Sequence, residues 1–224
     1  MPRPPALCTV KLIVFDLDGT LVDSRRDLAA SINALLIACG AEPLPERTVG
    51  TMVGEGAQTL VARAFAAARR DPPPDALDRF LAIYNAHLLD ETRPYPGMIR
   101  VLQTLLERAS LAVLTNKPLA ATRQILAGLD LKRYFPDDCV IGGDGPFARK
   151  PDPSGLRHLI AQAAATPATT TLVGDSAIDW RTARNAAARA CLVRYGFGFE
   201  SIPLDQLGST EMVVDTPAAL LDVL

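Results

Sequence analysis

The stretch VKLIVFDLDGT at residues 10–20 decides the predicted fold. Its first six residues are mostly large and apolar, which is typical of a strand buried on both faces of a parallel sheet. The run stops at Asp16, and Asp18 and Gly19 follow closely. Because burying an unpaired carboxylate is costly, packing does not explain two of them here. We therefore expect a ligand at the carboxyl end of this strand, where open α/β sheets bind their ligands.

Similar apolar runs recur along the chain and alternate with helical patterns. Further strands are predicted at 111–114, 139–141, 171–173, 191–195 and 212–214, and helices at 97–109, 119–129, 153–164 and 178–188. This alternation predicts an α/β fold with a doubly wound, Rossmann-like parallel sheet that helices cover on both faces.

Residues 23–92 interrupt the alternation, since they contain no convincing strand. Helices are predicted at 24–39, 56–70 and 75–89. Gly40 is placed to end the first of them. Such a block predicts an inserted helical cap domain at 23–92, hereafter the cap, beside a catalytic core formed by residues 1–22 and 93–224.

The composition argues against two classes of partner. The 224 residues include 23 Lys and Arg against 25 Asp and Glu, a net charge of −2, whereas nucleic-acid binders normally carry a basic excess. The longest uncharged helical stretch, residues 28–41, has 14 residues and is too short to cross a bilayer. We expect a cytoplasmic protein without nucleic-acid or membrane partners.

The four cysteines, Cys8, Cys39, Cys139 and Cys191, stand far apart and form no metal-binding pattern. We expect them to be buried thiols in a reducing compartment.

Polar residues follow the ends of several predicted strands. They are Asp16, Asp18, Thr115, Asn116, Asp175 and, in the region that follows the 139–141 strand, Lys150. Parallel strands place such ends at one edge of the sheet, so these groups are expected to converge. A hard cation would offset the cost of gathering carboxylates, and Mg²⁺ prefers a few carboxylates with water and substrate oxygens.

Four motifs occur in order: DLDGT at 16–20, LTN at 114–116, KPDP at 150–153 and VGDSAID at 173–179. Together they resemble the four motifs of the haloacid-dehalogenase superfamily, and the resemblance covers nearly the whole chain. Dehalogenases proper lack the second aspartate of the first motif and need no metal. Because Asp18 is present, the resemblance is to the phosphatase members.

The resemblance implies a role for each acidic residue. Asp16 would attack phosphorus and form an aspartyl phosphate, and Asp18 would act as general acid and then base. Mg²⁺ would be held by the side chains of Asp16 and Asp175 and by the backbone carbonyl of Asp18, and Asp179 would orient the metal shell.

The same resemblance implies the groups that bind phosphate. The Thr115 side chain and the Asn116 backbone would bind the phosphoryl oxygens, and Lys150 would neutralise charge on the transferring group. One departure stands at 186–190, which reads AAARA where many relatives have a glycine, so the local turn there is in question.

Three stretches bear on the substrate: VGEGAQTL at 53–60, RPYPG at 93–97 and LTNKP at 114–118. They resemble segments of the bacterial phosphoglycolate phosphatases, a subfamily whose members are often monomers or homodimers. This implies a small phosphorylated substrate, 2-phosphoglycolate first, with backbone amides near Gly56 approaching its carboxylate. Arg63 and Arg93 are further candidates for contact with the leaving group.

Other functions remain open at this point. The chain could hydrolyse another small phosphate ester, a sugar phosphate or pyrophosphate. It could also be a phosphomutase of the β-phosphoglucomutase type, which shares the four motifs, or a non-catalytic phosphate-binding module. A damaged first motif would favour the last, but both aspartates are intact.

Overall fold

A computed structural model of the protein describes residues 10–208 and 211–224. Its eight strands in these ranges are β1 Leu12–Phe15, β2 Val22–Asp23, β3 Arg93–Pro94, β4 Ser110–Leu114, β5 Val140–Ile141, β6 Thr170–Gly174, β7 Arg189–Val193 and β8 Glu211–Val214. Its α-helices in these ranges are α1 Arg25–Ala38, α2 Glu46–Gly50, α3 Ala57–Ala67, α4 Ala76–Ala86, α5 Met98–Leu106, α6 Leu119–Gly128, α7 Ser154–Gln162, α8 Ala177–Asn185 and α9 Leu220–Val223.

Six strands form one parallel sheet in the order β5-β4-β1-β6-β7-β8. The strand VKLIVF therefore lies at the centre, and the predicted doubly wound α/β fold is confirmed. Phe15 pairs with Val113 on one side and with Val173 on the other, so the three central strands end almost level. This register brings the residues after these strands to one place.

Alternate residues of β1 serve two separate apolar layers, as the period of two in a strand requires. Ile13 and Phe15 pack with the layer that contains α5 and α6. Leu12 and Val14 pack with the layer that contains α7 and α8, including Trp180. Both faces of β1 are fully covered, which explains why its sequence is a continuous apolar run.

Residues 23–92, the predicted cap, contain α1–α4, with α1 packed against α2, α3 and α4. A two-stranded antiparallel ribbon of β2 and β3 joins this segment to the rest of the chain. The ribbon and α2 were not predicted, because elements of two and five residues are too short to show a period. The domain boundaries at 22/23 and 92/93 stay a prediction.

Helix ends explain the departure at 186–190. Gly40 ends α1 with a left-handed φ of 70°, as predicted. After α8 the same position is held by Ala187, whose φ is 56°. The backbone N–H of Ala188 donates to the Ala183 carbonyl, and that of Ala187 donates to Arg184, which is the Schellman arrangement that usually uses glycine. The turn is therefore kept without the glycine.

The cysteine prediction is confirmed only for Cys191, which is buried. Cys39 and Cys139 are partly exposed, because one caps the end of α1 and the other lies in a surface turn before β5. Cys8 lies outside the described residues. No helix within the described ranges is long and apolar enough to cross a membrane.

Candidate active site

The candidate site lies at the carboxyl ends of the three central strands. Asp16 follows β1, Thr115 follows β4 and Asp175 follows β6. All three side chains are buried. The strand order β4-β1-β6 makes these ends neighbours, so the sheet topology brings together residues that are up to 159 positions apart in the chain (175 − 16).

Lys150 joins two of the predicted acidic residues. Its Nζ lies 2.9 Å from Asp16 Oδ1 and 2.6 Å from Asp179 Oδ1. The other oxygen of Asp179 accepts hydrogen bonds from the backbone N–H and the hydroxyl of Ser176, which form a capping box at the start of α8. The helix cap therefore fixes the carboxylate that holds the lysine.

Asn116 holds the loop that presents Lys150. Its Oδ1 accepts from the Lys150 backbone N–H at 2.8 Å, and its Nδ2 donates to the Lys150 carbonyl at 3.0 Å. Nδ2 also donates to the Gly54 carbonyl in the cap at 2.9 Å. The Asn116 side chain is therefore used in hydrogen bonds to Lys150 and Gly54. The predicted contact with phosphate can come only from the Asn116 backbone.

Asp16, Asp175 and Asp179 form a group of three buried carboxylates, each with one oxygen within 4.8 Å of the others. Burial raises the pKa of Asp16 to about 6; Lys150 opposes this rise and Asp179 adds to it. Burial also raises the pKa of Asp175 well above its ordinary value, and the charges of Asp179 and Asp16 add to it. Burial is the main cause of both shifts, and the neighbouring carboxylates add to it.

The three-carboxylate group fits a divalent cation. Three ionised carboxylates and the Lys150 ammonium sum to a charge of −2. Lys150 Nζ is the positive neighbour of Asp16 Oδ1, at 2.9 Å, and it balances only one of the three negative charges. Three neighbouring carboxylates with excess negative charge are a set of hard oxygen ligands that suits a divalent cation.

The backbone comes close to Asp175 through glycines. Gly19 has a φ of 84°, and a side chain there would overlap the Asp175 carboxylate. The Gly198 backbone N–H donates to Asp175 Oδ2 at 2.8 Å. The turn predicted at Gly19 thus packs directly against this carboxylate.

The Asp18 side chain lies outside the three-carboxylate group. Its Oδ1 accepts from the Ser24 hydroxyl at 2.5 Å, and its Oδ2 lies 3.1 Å from Lys117 Nζ. Both partners turn this carboxylate toward the cap. The contact of its backbone carbonyl with the metal stays a prediction.

Lys117 is a residue of the site to which the sequence analysis gave no role. Its side chain is 5% exposed, and its Nζ donates to the Tyr84 hydroxyl of α4 at 2.7 Å. Burial lowers the pKa of Lys117, but Asp18 and Tyr84 outweigh burial and raise it above its ordinary value. Burial raises the pKa of Tyr84 to about 12. Lys117 stands in the LTNKP stretch, but its partner Tyr84 lies 33 residues earlier, so the local sequence could not predict their contact.

A narrow cleft, with about 50 Å³ of free space, lies between these groups and the cap. Such a space favours a small ligand. The lining residues are Asp16, Asp18, Leu28, Val53, Gly54, Gly56, Ala57, Leu60, Phe80, Leu81, Tyr84, Asn85, Thr115, Asn116, Lys117, Pro118 and Ala121. Arg63 and Arg93 are not among them: Arg63 pairs with Glu55, and Arg93 donates to backbone carbonyls of its own loop. Neither of these two candidates for contact with the leaving group lines the cleft.

Comparison with known families shows which family the chain belongs to. The model of the family described as haloacid dehalogenase-like hydrolase matches residues 13–193. The chain belongs to this family. The match spans all four motifs and every residue that lines the cleft.

Haloacid dehalogenase-like relatives cover nearly the full chain. A phosphoglycolate phosphatase of Agrobacterium fabrum is 37% identical over 218 residues, which are 95% of this chain and 91% of the relative. A phosphoglycolate phosphatase of Rhodospirillum rubrum is 41% identical over 214 residues, 92% of this chain and 87% of the relative. The crystal structure of a predicted phosphoglycolate phosphatase from Haemophilus somnus has a TM-score of 0.85 and 31% identity, and the match covers 96% of this chain and 97% of that chain.

Proposed function

We propose that this haloacid dehalogenase-like hydrolase is a Mg²⁺-dependent phosphatase that converts 2-phosphoglycolate to glycolate and phosphate. One observation carries the proposal. Asp16 is the single residue that belongs both to the three-carboxylate group and to the lining of the cleft. A carboxylate at that junction can receive a phosphoryl group from a molecule in the cleft while the cation-binding group supports the charge.

The proposed reaction has two steps. A carboxylate oxygen of Asp16 attacks phosphorus, and the bond to the glycolate oxygen breaks as Asp18 donates its proton to that oxygen. Asp18, now ionised, accepts a proton from water, and the resulting hydroxide attacks phosphorus and releases phosphate from Asp16. The position of Asp18 on the cleft side, away from the three-carboxylate group, supports its separate role.

Binding roles follow from the same placement. The side chains of Asp16 and Asp175 and the carbonyl of Asp18 would hold Mg²⁺, with Asp179 orienting the shell, and the cation would reduce repulsion between Asp16 and phosphate. The Thr115 hydroxyl, the Asn116 backbone N–H and the Lys150 ammonium would bind the phosphoryl oxygens. Gly56 would let the first amides of α3 approach the substrate from the cap.

The cleft supports a small substrate over a sugar phosphate. Most of its lining is apolar, with Leu28, Leu60 and Phe80 on the cap side. Among the described lining residues of the cap, Tyr84 and Asn85 are the polar side chains. A sugar ring would leave several hydroxyl groups without partners against this wall, which is costly. The relatives named phosphoglycolate phosphatase add support for the smaller ester.

The test is phosphate release from 2-phosphoglycolate, ethyl phosphate, glucose 6-phosphate and pyrophosphate, with and without a chelator. We expect 2-phosphoglycolate to give the highest kcat/KM, the chelator to abolish activity and added Mg²⁺ to restore it. Asp16→Asn should lose roughly 10³-fold or more in kcat, because it removes the nucleophile. Chelator-resistant activity, or an active Asp16→Asn variant, would refute the mechanism.

We also propose a cytoplasmic location and a monomeric or homodimeric state. The net charge of −2 supports the absence of a nucleic-acid partner. Light scattering of the purified protein measures its oligomeric state directly.

A further inference from the structure

We propose that Lys117 is the specificity-determining residue for an anionic leaving group, and that its ammonium binds the carboxylate of the substrate. This inference rests on the proposed phosphatase function. Among the described residues that line the cleft, Lys117 is the one with a cationic side chain. Lys150 is paired with Asp16 and Asp179 and is not among the residues that line the cleft.

The hydrogen bonds of Lys117 leave room for a ligand. An ammonium group has three N–H donors. One is directed to Asp18 Oδ2 and another to the Tyr84 hydroxyl. In the part of the chain that the structure describes, no further side chain or backbone carbonyl accepts a hydrogen bond from the third. A buried donor without a partner is costly, so a ligand that supplies an acceptor is favoured.

The distance to Asp18 selects the length of the leaving group. Asp18 must lie about 2.7 Å from the ester oxygen to give it a proton. In 2-phosphoglycolate one methylene separates that oxygen from the carboxyl carbon, which puts the carboxylate oxygens about 3 Å from the ester oxygen. Lys117 Nζ is 3.1 Å from Asp18 Oδ2. A carboxylate one carbon from the ester oxygen is therefore within reach of the ammonium.

The cap fixes the position of the ammonium. Tyr84 stacks on Phe80 with ring centroids 5.7 Å apart and an angle of 6° between the rings. The Lys117 ammonium also lies 4.3 Å from the centroid of the Tyr84 ring. Apolar neighbours on the same wall, including Leu60 and Leu81, exclude water and strengthen an ionic contact in the cleft. The charge is thus held in place before substrate binds.

A different explanation is that Lys117 only positions Asp18. In that case its removal would slow every phosphate ester to the same extent, because Asp18 serves all of them. Carboxylate binding instead predicts a larger loss for substrates that carry the carboxylate than for those that lack it. The two roles are separated by comparing 2-phosphoglycolate with ethyl phosphate, which has the same ester group and no carboxylate.

The experiment compares Lys117→Met with wild type on both substrates at saturating Mg²⁺. We expect kcat/KM for 2-phosphoglycolate to fall roughly 10²-fold, mainly through KM, and that for ethyl phosphate to fall by a clearly smaller factor, since this ester loses only the Lys117 contact to Asp18. Lys117→Arg keeps the charge and should recover part of the loss. Lys132→Met is the matched control, since Lys132 is an exposed lysine paired with Asp137 away from the cleft, and it should behave as wild type.

An equal loss on the two substrates would overturn carboxylate binding and leave the phosphatase function intact. Calorimetry covers the case in which turnover is too slow to measure. In the Asp16→Asn background, 2-phosphoglycolate should bind at least about 10-fold more weakly when Lys117→Met is added. Equal binding in the two variants would overturn the inference even if no phosphatase activity were found. If Lys117→Met does not fold, Lys117→Gln serves in both measurements.

Discussion

Asp27 Oδ2 accepts two hydrogen bonds from Thr92, from its backbone N–H at 2.8 Å and from its hydroxyl at 2.7 Å. The same carboxylate accepts the backbone N–H of Glu91 through both oxygens, at 2.9 and 3.1 Å. It therefore ties the start of α1 to the chain that returns from the cap, 65 residues later. With the β2–β3 ribbon, this contact fixes how the two connections between cap and core lie together.

Asp27→Asn should destabilise the protein by about 1–3 kcal/mol, because an amide NH₂ would face backbone N–H donors in a buried position. Thermal or urea unfolding measures the change. Asp90→Asn is the control. Because Asp90 is exposed and paired with His87, its replacement should change the free energy of unfolding by less than about 0.5 kcal/mol. A similar effect of the two variants would contradict the role of Asp27.

Ala187→Gly should stabilise the protein by about 0.5–1 kcal/mol, since Ala187 has a φ of 56° and glycine adopts that conformation at little cost. Ala164→Gly, with a φ of 47° after α7, should behave alike. Ala161→Gly, inside α7, should instead destabilise by a similar amount. Chemical unfolding of the three variants tests the sign, and a loss of stability at Ala187 would disprove the explanation.

Gly19→Ala and Gly97→Ala separate backbone strain from crowding at the site. Both glycines have nearly the same φ, 84° and 86°, but only a side chain at Gly19 would overlap the Asp175 carboxylate. Gly97→Ala should cost about 1 kcal/mol of stability and leave activity near wild type. Gly19→Ala should in addition weaken Mg²⁺ binding and lower kcat by at least about 10-fold. Equal effects in titration and kinetics would show that Asp175 is not constrained by Gly19.

Mg²⁺ binding should weaken as the pH falls below about 6. The pKa of Asp16 is raised from 3.8 to about 6. Between these two pH values the metal-free folded chain therefore keeps a proton on Asp16 that an unfolded chain has lost. This carboxyl contributes to the stability of the metal-free chain below pH 3.8, and the contribution is lost as pH rises through 6. Because the cation must displace that proton, affinity should rise with pH through 6, and the raised pKa of Asp175 adds to the same trend.

Calorimetric titration with Mg²⁺ at pH 5, 6, 7 and 8 measures this dependence. Asp175→Asn should abolish binding at every pH, and Asp152→Asn, which changes an exposed carboxylate outside the site, should leave the profile unchanged. An affinity that does not change between pH 5 and 7 would contradict proton displacement at Asp16.

The local sequence was sufficient for the sheet and its strand ends. The six strands of the parallel sheet correspond to six predicted apolar runs. Three of these runs are followed by Asp16, Thr115 and Asp175, which mark the ends of the central strands. The period of side chains in a strand and the burial of a parallel sheet are properties of neighbouring residues, so they can be read along the chain. The predicted group at these ends could be placed on one edge for the same reason.

Contacts between the cap and the core could not be read in this way. Lys117 meets Tyr84 across 33 residues, and the Asp18 carboxylate turns toward Ser24 and Lys117 rather than toward Asp175. Arg63 and Arg93, the cations that the sequence analysis named as candidates for contact with the leaving group, do not line the cleft.

The sequence by itself determined which residues follow the buried strands, and with them the carboxylates, the hydroxyl and the lysine of the candidate site. The tertiary structure alone decided which way the side chains of the loops face, and that Lys117 is the cationic residue that lines the cleft. The physical reason is that the backbone of a strand makes successive side chains point to opposite faces of the sheet, so neighbouring residues alone determine their direction. The partner of a loop residue depends instead on how separate elements pack, and that packing has no period along the chain.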